Sequence, residues 1–342
     1  MSRDSVSAED QGLAETQAAL CRLGLLPADA EARFEPLTGG VSSDIWKVET
    51  ATDSFCVKRA LAKLRVAQDW YAPVGRNAAE VAWMRAAATV EPDAVPAVLG
   101  HDADAGLFAM AYLDPADHPV WKTQLMTGVI EPETARQVGQ RLGHIHAATA
   151  GRAELAAAFA NHDTFHAIRL EPYLEATARV HTELGPALLA LAATTAETRL
   201  ALVHGDVSPK NILVGPRGPV FLDAECAVYG DPAFDLAFCL NHLLLKCLVR
   251  PAQSAGYLDC FTGLRDAYVA HVDWEPAARM EARTARLLPG LFLARVDGKS
   301  PAEYLTAEHD KARVRRTAAA LLRNPADSLA AVADAWAQEL KR

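Results

Sequence analysis

The segment Val203-His204-Gly205-Asp206-Val207-Ser208-Pro209-Lys210-Asn211-Ile212-Leu213-Val214 sets a polar loop between two short apolar runs. A second apolar run, Val220-Phe221-Leu222, ends in Asp223-Ala224-Glu225. The pattern is H-x-D-x-x-x-x-N, a strand, then an acidic residue. Transfer of a phosphoryl group from a magnesium nucleotide to a hydroxyl needs these parts. One carboxylate orients the attacking hydroxyl and takes its proton. An amide oxygen and another carboxylate hold Mg2+ on the phosphates. Asp206 fits the first role, and Asn211 with Asp223 fits the second. Glu225 is a candidate for the second metal or its water shell, and equally for a structural carboxylate. A chance polar loop between two strands would not carry both the spacing to Asn211 and the following Leu222-Asp223.

The N-terminal half offers an independent check, because such a site also needs a backbone cradle and a lysine for the nucleotide phosphates. Gly39-Gly40 between two strands is the candidate cradle, with Ser42 and Ser43 offering amides or hydroxyls. A plain hairpin turn is the alternative. Lys58 ends the third strand, and Glu80 on the next helix is placed to pair with it. Taken singly, each would be a surface charge. The order Gly-loop, Lys, Glu, H-x-D-x-x-x-x-N, Asp makes the set informative.

These residues must be carried by elements. Ser7 with Asp10 forms a capping-box pattern ahead of Leu13, Leu20 and Leu23, and Gly24 with Pro27 closes that helix. Phe34 to Arg59 reads as a small antiparallel meander, with strands at Ile45–Val48 and Phe55–Lys58. A helix follows over Asn77–Ala88, then strands over Val95–Leu99 and Leu107–Tyr112. Leu113-Asp114-Pro115-Ala116-Asp117 is a polar, proline-broken hinge. Beyond it the pattern turns helical. Pro132–Ala150 puts Val138, Leu142 and Ile145 on one face, with Gly139 and Gly143 permitting close packing. Pro172–Ala193 reads as a helical pair interrupted at Gly185-Pro186, and helices return from Ala233 to the end. The division expected is residues 1–33 as an N-terminal helical extension, 34–113 as a nucleotide-binding β-rich lobe, and 114–342 as a helical lobe with the catalytic loop.

On these motifs the chain resembles the aminoglycoside phosphotransferase-type small-molecule kinases. The His-Gly-Asp form at 204–206, in place of His-Arg-Asp, belongs to that branch of the protein-kinase-like fold. Asp223-Ala224-Glu225, the Val228-Tyr229-Gly230 segment and Phe234-Asp235 are similar to methylthioribose kinases. The resemblance implies an α+β bilobal fold, with a small antiparallel β-rich N-lobe and a larger helical C-lobe. It implies ATP and Mg2+ as cofactors and a small-molecule hydroxyl as acceptor. Met110 to Leu113, including Tyr112, would form the adenine edge through backbone groups. His204 would brace the loop, and Asp235 would accept N–H bonds from it. Lys210 would reach the transferred phosphoryl group or remain a solvated loop lysine. His144 and His146 would belong to a packing helix, not a metal site, since i and i+2 do not share a helix face. Arg283, Arg286 and Arg295 are candidates for the arginine pair of methylthioribose kinases. Trp121, Lys122, Glu225 and Trp274 are candidates to line the acceptor site.

Composition bounds the rest. The 342 residues are 51% apolar and 23% charged, with 34 basic and 43 acidic side chains and a net charge of −9. A disordered chain would be less apolar, and the length favours two lobes. The acidic balance argues against general nucleic-acid binding. Six cysteines without a C-x-x-C pair read as buried free thiols. Met1–Glu15 has no apolar signal core, and the run at 237–248 is broken by Asn241, His242 and Lys246. A buried helix, a cytoplasmic protein and no membrane partner are therefore expected. No feature bears on the oligomeric state. The leading acceptor is a sugar or nucleoside-like metabolite. The alternatives are an aminoglycoside, amino alcohol or amino acid, or a nucleotide-binding pseudokinase without turnover. A protein kinase is excluded, because Asp223 leads within a few residues to Pro232 and a helix, leaving no room for a peptide-presenting loop.

Overall fold

The computed structural model describes residues 8–27, 29, 31–37, 43–60 and 76–342, and of residues 8–11 the backbone alone. Ser7, Gly39, Gly40 and Ser42, on which the expected capping box and phosphate cradle rest, lie outside the described residues. The chain divides into two compact units, 1–88 with 96–114, and 89–95 with 115–342.

Among its described residues the first unit is a five-stranded antiparallel sheet with two helices. Strands β1 (Arg33–Pro36), β2 (Ser43–Glu49), β3 (Ser54–Ala60), β4 (Val98–Asp102) and β5 (Leu107–Ala111) lie in the order β1-β2-β3-β5-β4. Side chains on a strand alternate between faces. On β3, Phe55 and Val57 join Val48, Leu107 and Ala109 in a core closed by Ala19 and Leu20 of helix α1 (Ala8–Arg22). Cys56 and Lys58 therefore point to the other face, toward helix α2 (Arg76–Ala88). Burial pushes the Cys56 thiol up to about 12, so it is neutral.

The fourth strand starts three residues later than the expected Val95–Leu99. A single 3-10 turn fills Pro92–Ala94, and Pro96 has no N–H to give a ladder. Pairing begins only where Ala111 N donates to Ala97 O at 2.8 Å. Residues 89–95 group with the second unit because its helix over Pro132–Thr149 holds them. His144 Nδ1 meets Glu91 Oε1 at 2.6 Å, and the Arg141 guanidinium donates to Asp93 O at 2.8 Å.

The second unit is mainly helical. Its first half contains α3 (Trp121–Thr127), α4 (Pro132–Thr149), α5 (Ala153–Ala158), α6 (His162–Phe165), a stretch of wide π-type turns at His166–Glu175, α7 (Ala176–Val180) and α8 (Gly185–Glu197). Two small antiparallel ladders follow. Strand β6 (Ala201–Val203) pairs with β9 (Val228–Gly230), and β7 (Ile212–Gly215) pairs with β8 (Gly218–Phe221). They frame the polar loop at 204–211. Helices α9 (Pro232–Val249), α10 (Ser254–Val269), α11 (Ala277–Asp297), α12 (Glu308–Arg323) and α13 (Leu329–Leu340) complete the unit.

The expected helical pair over Pro172–Ala193 is corrected in two ways. Pro172 lies inside the π-type stretch rather than at a helix start, and Gly185-Pro186 begins α8 rather than breaking a pair. Wide turns accommodate a residue that lacks an N–H and clashes with the preceding turn. The close packing expected at Gly139 is present. A Cβ there would stand 2.1 Å from Leu264 O on α10. Helix α9 is long and apolar enough to cross a membrane, yet 94% of that window is buried inside the protein. All six cysteines are free, and all but the half-buried Cys21 are buried.

Candidate active site

The polar loop owes its shape to the start of α9. Asp231 caps that helix, accepting Ala233 N at 3.0 Å, and Pro232 takes the first helical position, where its missing N–H costs nothing. One turn on, the fully buried Asp235 aims its carboxylate at the loop. It accepts His204 N at 2.7 Å and Gly205 N at 2.8 Å, and meets His146 Nε2 at 3.3 Å. His146 Nδ1 in turn meets Tyr268 Oη at 2.7 Å. His144 and His146 thus serve packing, as expected. The Trp274 ring lies against Tyr268 and His146, at 6.3 and 6.4 Å.

His204 braces the loop from within. Its Nδ1 accepts Asp206 N at 3.1 Å, and its Nε2 faces Leu222 O at 3.1 Å. The tautomer that satisfies both carries its proton on Nε2. Burial pushes its pKa down, so the ring stays neutral. Gly205 has φ +82°, and a Cβ there would stand 2.9 Å from Cys226 Sγ and 3.0 Å from Cys226 O. Only glycine meets both demands. Gly205→Ala is expected to lose about 1–3 kcal/mol of stability, from the left-handed backbone and the overlap. Chemical denaturation measures it, and a variant as stable as wild type would contradict this account of the loop.

Asp206 is buried, and its Oδ2 takes two cations. Arg169 reaches it at 2.8 Å and Lys210 at 3.3 Å. The Asp206 carboxylate raises the pKa of Lys210. For Arg169 burial opposes the charge, but Asp206 together with Cys226, Tyr173 and Asp223 outweighs it and raises the pKa. Lys210 is therefore an ion-pair partner, not merely a solvated lysine. Arg169 escaped sequence reasoning altogether. It stands on the π-type stretch, a feature often found at functional sites. The only signal was a proline inside a helical pattern.

Asn211 is tied to the same loop, its Nδ2 donating to Asp206 O at 3.1 Å. The amide oxygen is left as the group to offer a cation. Asp223 is the one non-glycine residue with positive φ, +70°, among the described residues. Such backbone is uncommon outside glycine and is a pointer to function. Carboxylate oxygens of Asp223 and the buried Glu225 lie within 4.8 Å of each other. Asn211, Asp223 and Glu225 offer only hard oxygen donors, a set that fits Mg2+.

In the first unit, Lys58 and Glu80 form a buried ion pair, Nζ to Oε2 at 2.7 Å. Asn77 Nδ2 pins the start of α2 to Gly106 O at 2.7 Å. Ser43 opens β2 and is buried. Met110 lies within β5, opposite Cys56, and the Tyr112 ring just beyond it carries Lys47 Nζ 4.7 Å from its centroid.

Two of the three candidate arginines are occupied elsewhere. Arg283 spans Asp231 at 3.0 Å and Glu275 at 2.9 Å, and Arg286 pairs with Asp327 at 2.5 Å. Arg295 remains, buried beside Tyr173 and Ser300.

A family model described as the phosphotransferase enzyme family matches residues 33–268. Among curated proteins, the methylthioribose kinase of Pectobacterium atrosepticum is 27% identical over 226 residues, covering 58% of this chain and 56% of that protein. The methylthioribose kinase of Yersinia enterocolitica is 26% identical over 252 residues, covering 64% and 61%. The chain thus spans little more than half the length of these relatives. The solved structure of amicoumacin kinase in complex with AMP-PNP, Ca2+ and Ami superposes with a TM-score of 0.54 at 13% identity, covering 93% of this chain and 97% of that one. Choline kinase of Cryptosporidium parvum gives 0.51 at 10% identity, with 96% and 94% covered. At such identities the likeness concerns the α+β kinase-like fold alone. With the family model spanning most of the chain and the whole catalytic loop, the chain belongs to the phosphotransferase enzyme family.

Proposed function

We propose that the chain moves the γ-phosphoryl group of ATP to a hydroxyl of a small molecule. The observation that carries this reading is the buried Asp206 carboxylate, with Oδ2 held by Arg169 and Lys210. Oδ1 would accept the acceptor's O–H and take its proton as the oxygen attacks phosphorus. Arg169 and Lys210 fix the direction of that carboxylate, and Lys210, being half exposed, is placed to meet charge on the transferred group.

In the first unit, Lys58, held by Glu80, would bind nucleotide phosphates. Gly39, Gly40, Ser42 and Ser43 would supply amides to them, and Met110 to Tyr112 backbone groups to adenine. Asn211, Asp223 and Glu225 would hold Mg2+, which when bound neutralises phosphate charge. The division into 1–33, 34–113 and 114–342 belongs to the same proposal, as do a cytoplasmic setting and the absence of membrane or nucleic-acid partners.

The methylthioribose kinase relatives support a sugar- or nucleoside-like acceptor. A screen of ADP release tests the reading, with ATP, with and without Mg2+, across sugars, nucleosides, hydroxy acids, amino alcohols and aminoglycosides. Acceptor-dependent ADP release that requires Mg2+ is expected. ATP binding without release for any acceptor would favour a nucleotide sensor.

A further inference from the structure

Asp235, Phe238, His242 and Lys246 recur at three- and four-residue intervals, so they form one stripe along α9. The stripe begins at the catalytic loop, through Asp235. It passes under Arg169, whose guanidinium carbon lies 5.9 Å from the centre of the Phe238 ring and which itself holds Asp206. Two turns beyond Phe238, a rise of about 12 Å, it ends at Lys246.

Lys246 is 1% exposed. Among the described residues its Nζ has no hydrogen bond and no carboxylate within salt-bridge distance; the Tyr304 ring lies 5.2 Å away to the centroid, and the Glu303 carboxylate acts on it from farther off. Arg295 on α11 is 8% exposed. It contacts Tyr173 Oη at 3.4 Å and Ser300, again with no carboxylate, and its Nε is buried without a partner. Tyr304 Oη is likewise buried and unpartnered. Lys122, at the start of α3, pairs with Glu303. Helix α3 packs on both α9 and the catalytic 3-10 turn at Pro209–Asn211. Of the carboxylates here, Glu303 is engaged by Lys122, and Asp206 by Arg169 and Lys210.

Two buried cations are costly when the one carboxylate acting on both, Glu303, is already held by Lys122. A buried charge is retained where something pairs with it. Burial, and then the charges of Lys122 and Arg295, pull Lys246 down to about 7. Burial and the same cation cluster push His242 well below its ordinary value. An anion would relieve both.

We infer that the acceptor carries an anionic group, a carboxylate or a phosphate, which seats on Lys246, Arg295 and Tyr304 while its hydroxyl meets Asp206. This rests on the kinase reading above and adds the charge of the substrate. It sets the chain apart from kinases of cationic acceptors, because choline or an aminoglycoside would meet unpaired positive charge there.

Calorimetry on the full chain tests this with gluconate as the carboxylate probe, ribose 5-phosphate as the phosphate probe, and ribitol and choline as neutral and cationic comparisons. ADP release is followed with the same four. At least one anion should bind more tightly than ribitol, and choline should bind worst. Lys246→Met and Arg295→Met should each weaken the anion roughly 10–100-fold. Arg295→Lys should restore part of the loss, and the surface control Lys299→Met should change it less than about twofold. Thermal melts separate lost binding from lost folding.

Preference between gluconate and ribose 5-phosphate tells carboxylate from phosphate. Tighter binding of ribitol or choline than of both anions, or anion affinity unmoved by Lys246→Met, would overturn the inference. Lys246-dependent anion binding without ADP release would keep the anion site and remove the kinase reading. ADP release on neutral or cationic acceptors alone would do the reverse.

Discussion

Asp206→Asn is expected to lower kcat by roughly 10²–10⁴-fold, the usual contribution of a positioned base. Asn has the same shape, and its oxygen can still face Arg169 and Lys210, so the loop should persist. What is lost is the proton acceptor at Oδ1 and the negative charge between two cations. ATP affinity should change little, because the residues assigned to the nucleotide lie elsewhere. Steady-state ADP release, with a melt to verify folding, measures this. A fall of less than threefold with a folded protein would remove Asp206 from the chemistry.

Asp235→Ala should produce the largest change in stability, a loss of about 3–5 kcal/mol. The buried carboxylate satisfies two backbone N–H groups of the catalytic loop and meets His146. Alanine would leave these donors buried without an acceptor, which costs more than the bonds themselves contribute. Against a total folding stability of about 5–15 kcal/mol, that is a large fraction. Asp235→Asn should be intermediate, since one oxygen remains but an amide N–H₂ then faces backbone donors. Urea unfolding followed by circular dichroism gives the numbers. An Asp235→Ala protein as stable as wild type, with normal turnover, would mean that the loop is held by other contacts.

Much of this was legible because the decisive residues lie close in sequence or at fixed intervals. The loop from His204 to Asn211, the acidic pair at Asp223 and Glu225, and the support from Asp235 all sit within one stretch of about thirty residues. Lys58 and Glu80 were legible from order alone: a strand, then a helix. Strand alternation puts Lys58 on the face opposite Val57, and the helix brings Glu80 to it.

The misses have physical causes. Arg169 depends on a wide-turned helix that no apolar period announces. The strand expected at Val95 was displaced by the prolines at 92 and 96, whose missing N–H groups delay pairing. The inferred anion site draws Lys122, Lys246, Arg295 and Tyr304 from separate segments, so no local pattern could collect them. Lys246 in particular looked only like an interruption of an apolar run. Its significance lies in having no carboxylate within salt-bridge distance among the described residues, which tertiary structure alone reveals.

The most direct test of phosphoryl transfer through Asp206 is product analysis. Phosphorus NMR and mass spectrometry would follow ATP, Mg2+ and the acceptor that releases ADP fastest. The expected product is a phosphomonoester on a carbon-bound oxygen, formed one for one with ADP and nearly absent with Asp206→Asn. Inorganic phosphate as the sole product, or equal ester formation by Asp206→Asn, would contradict the account.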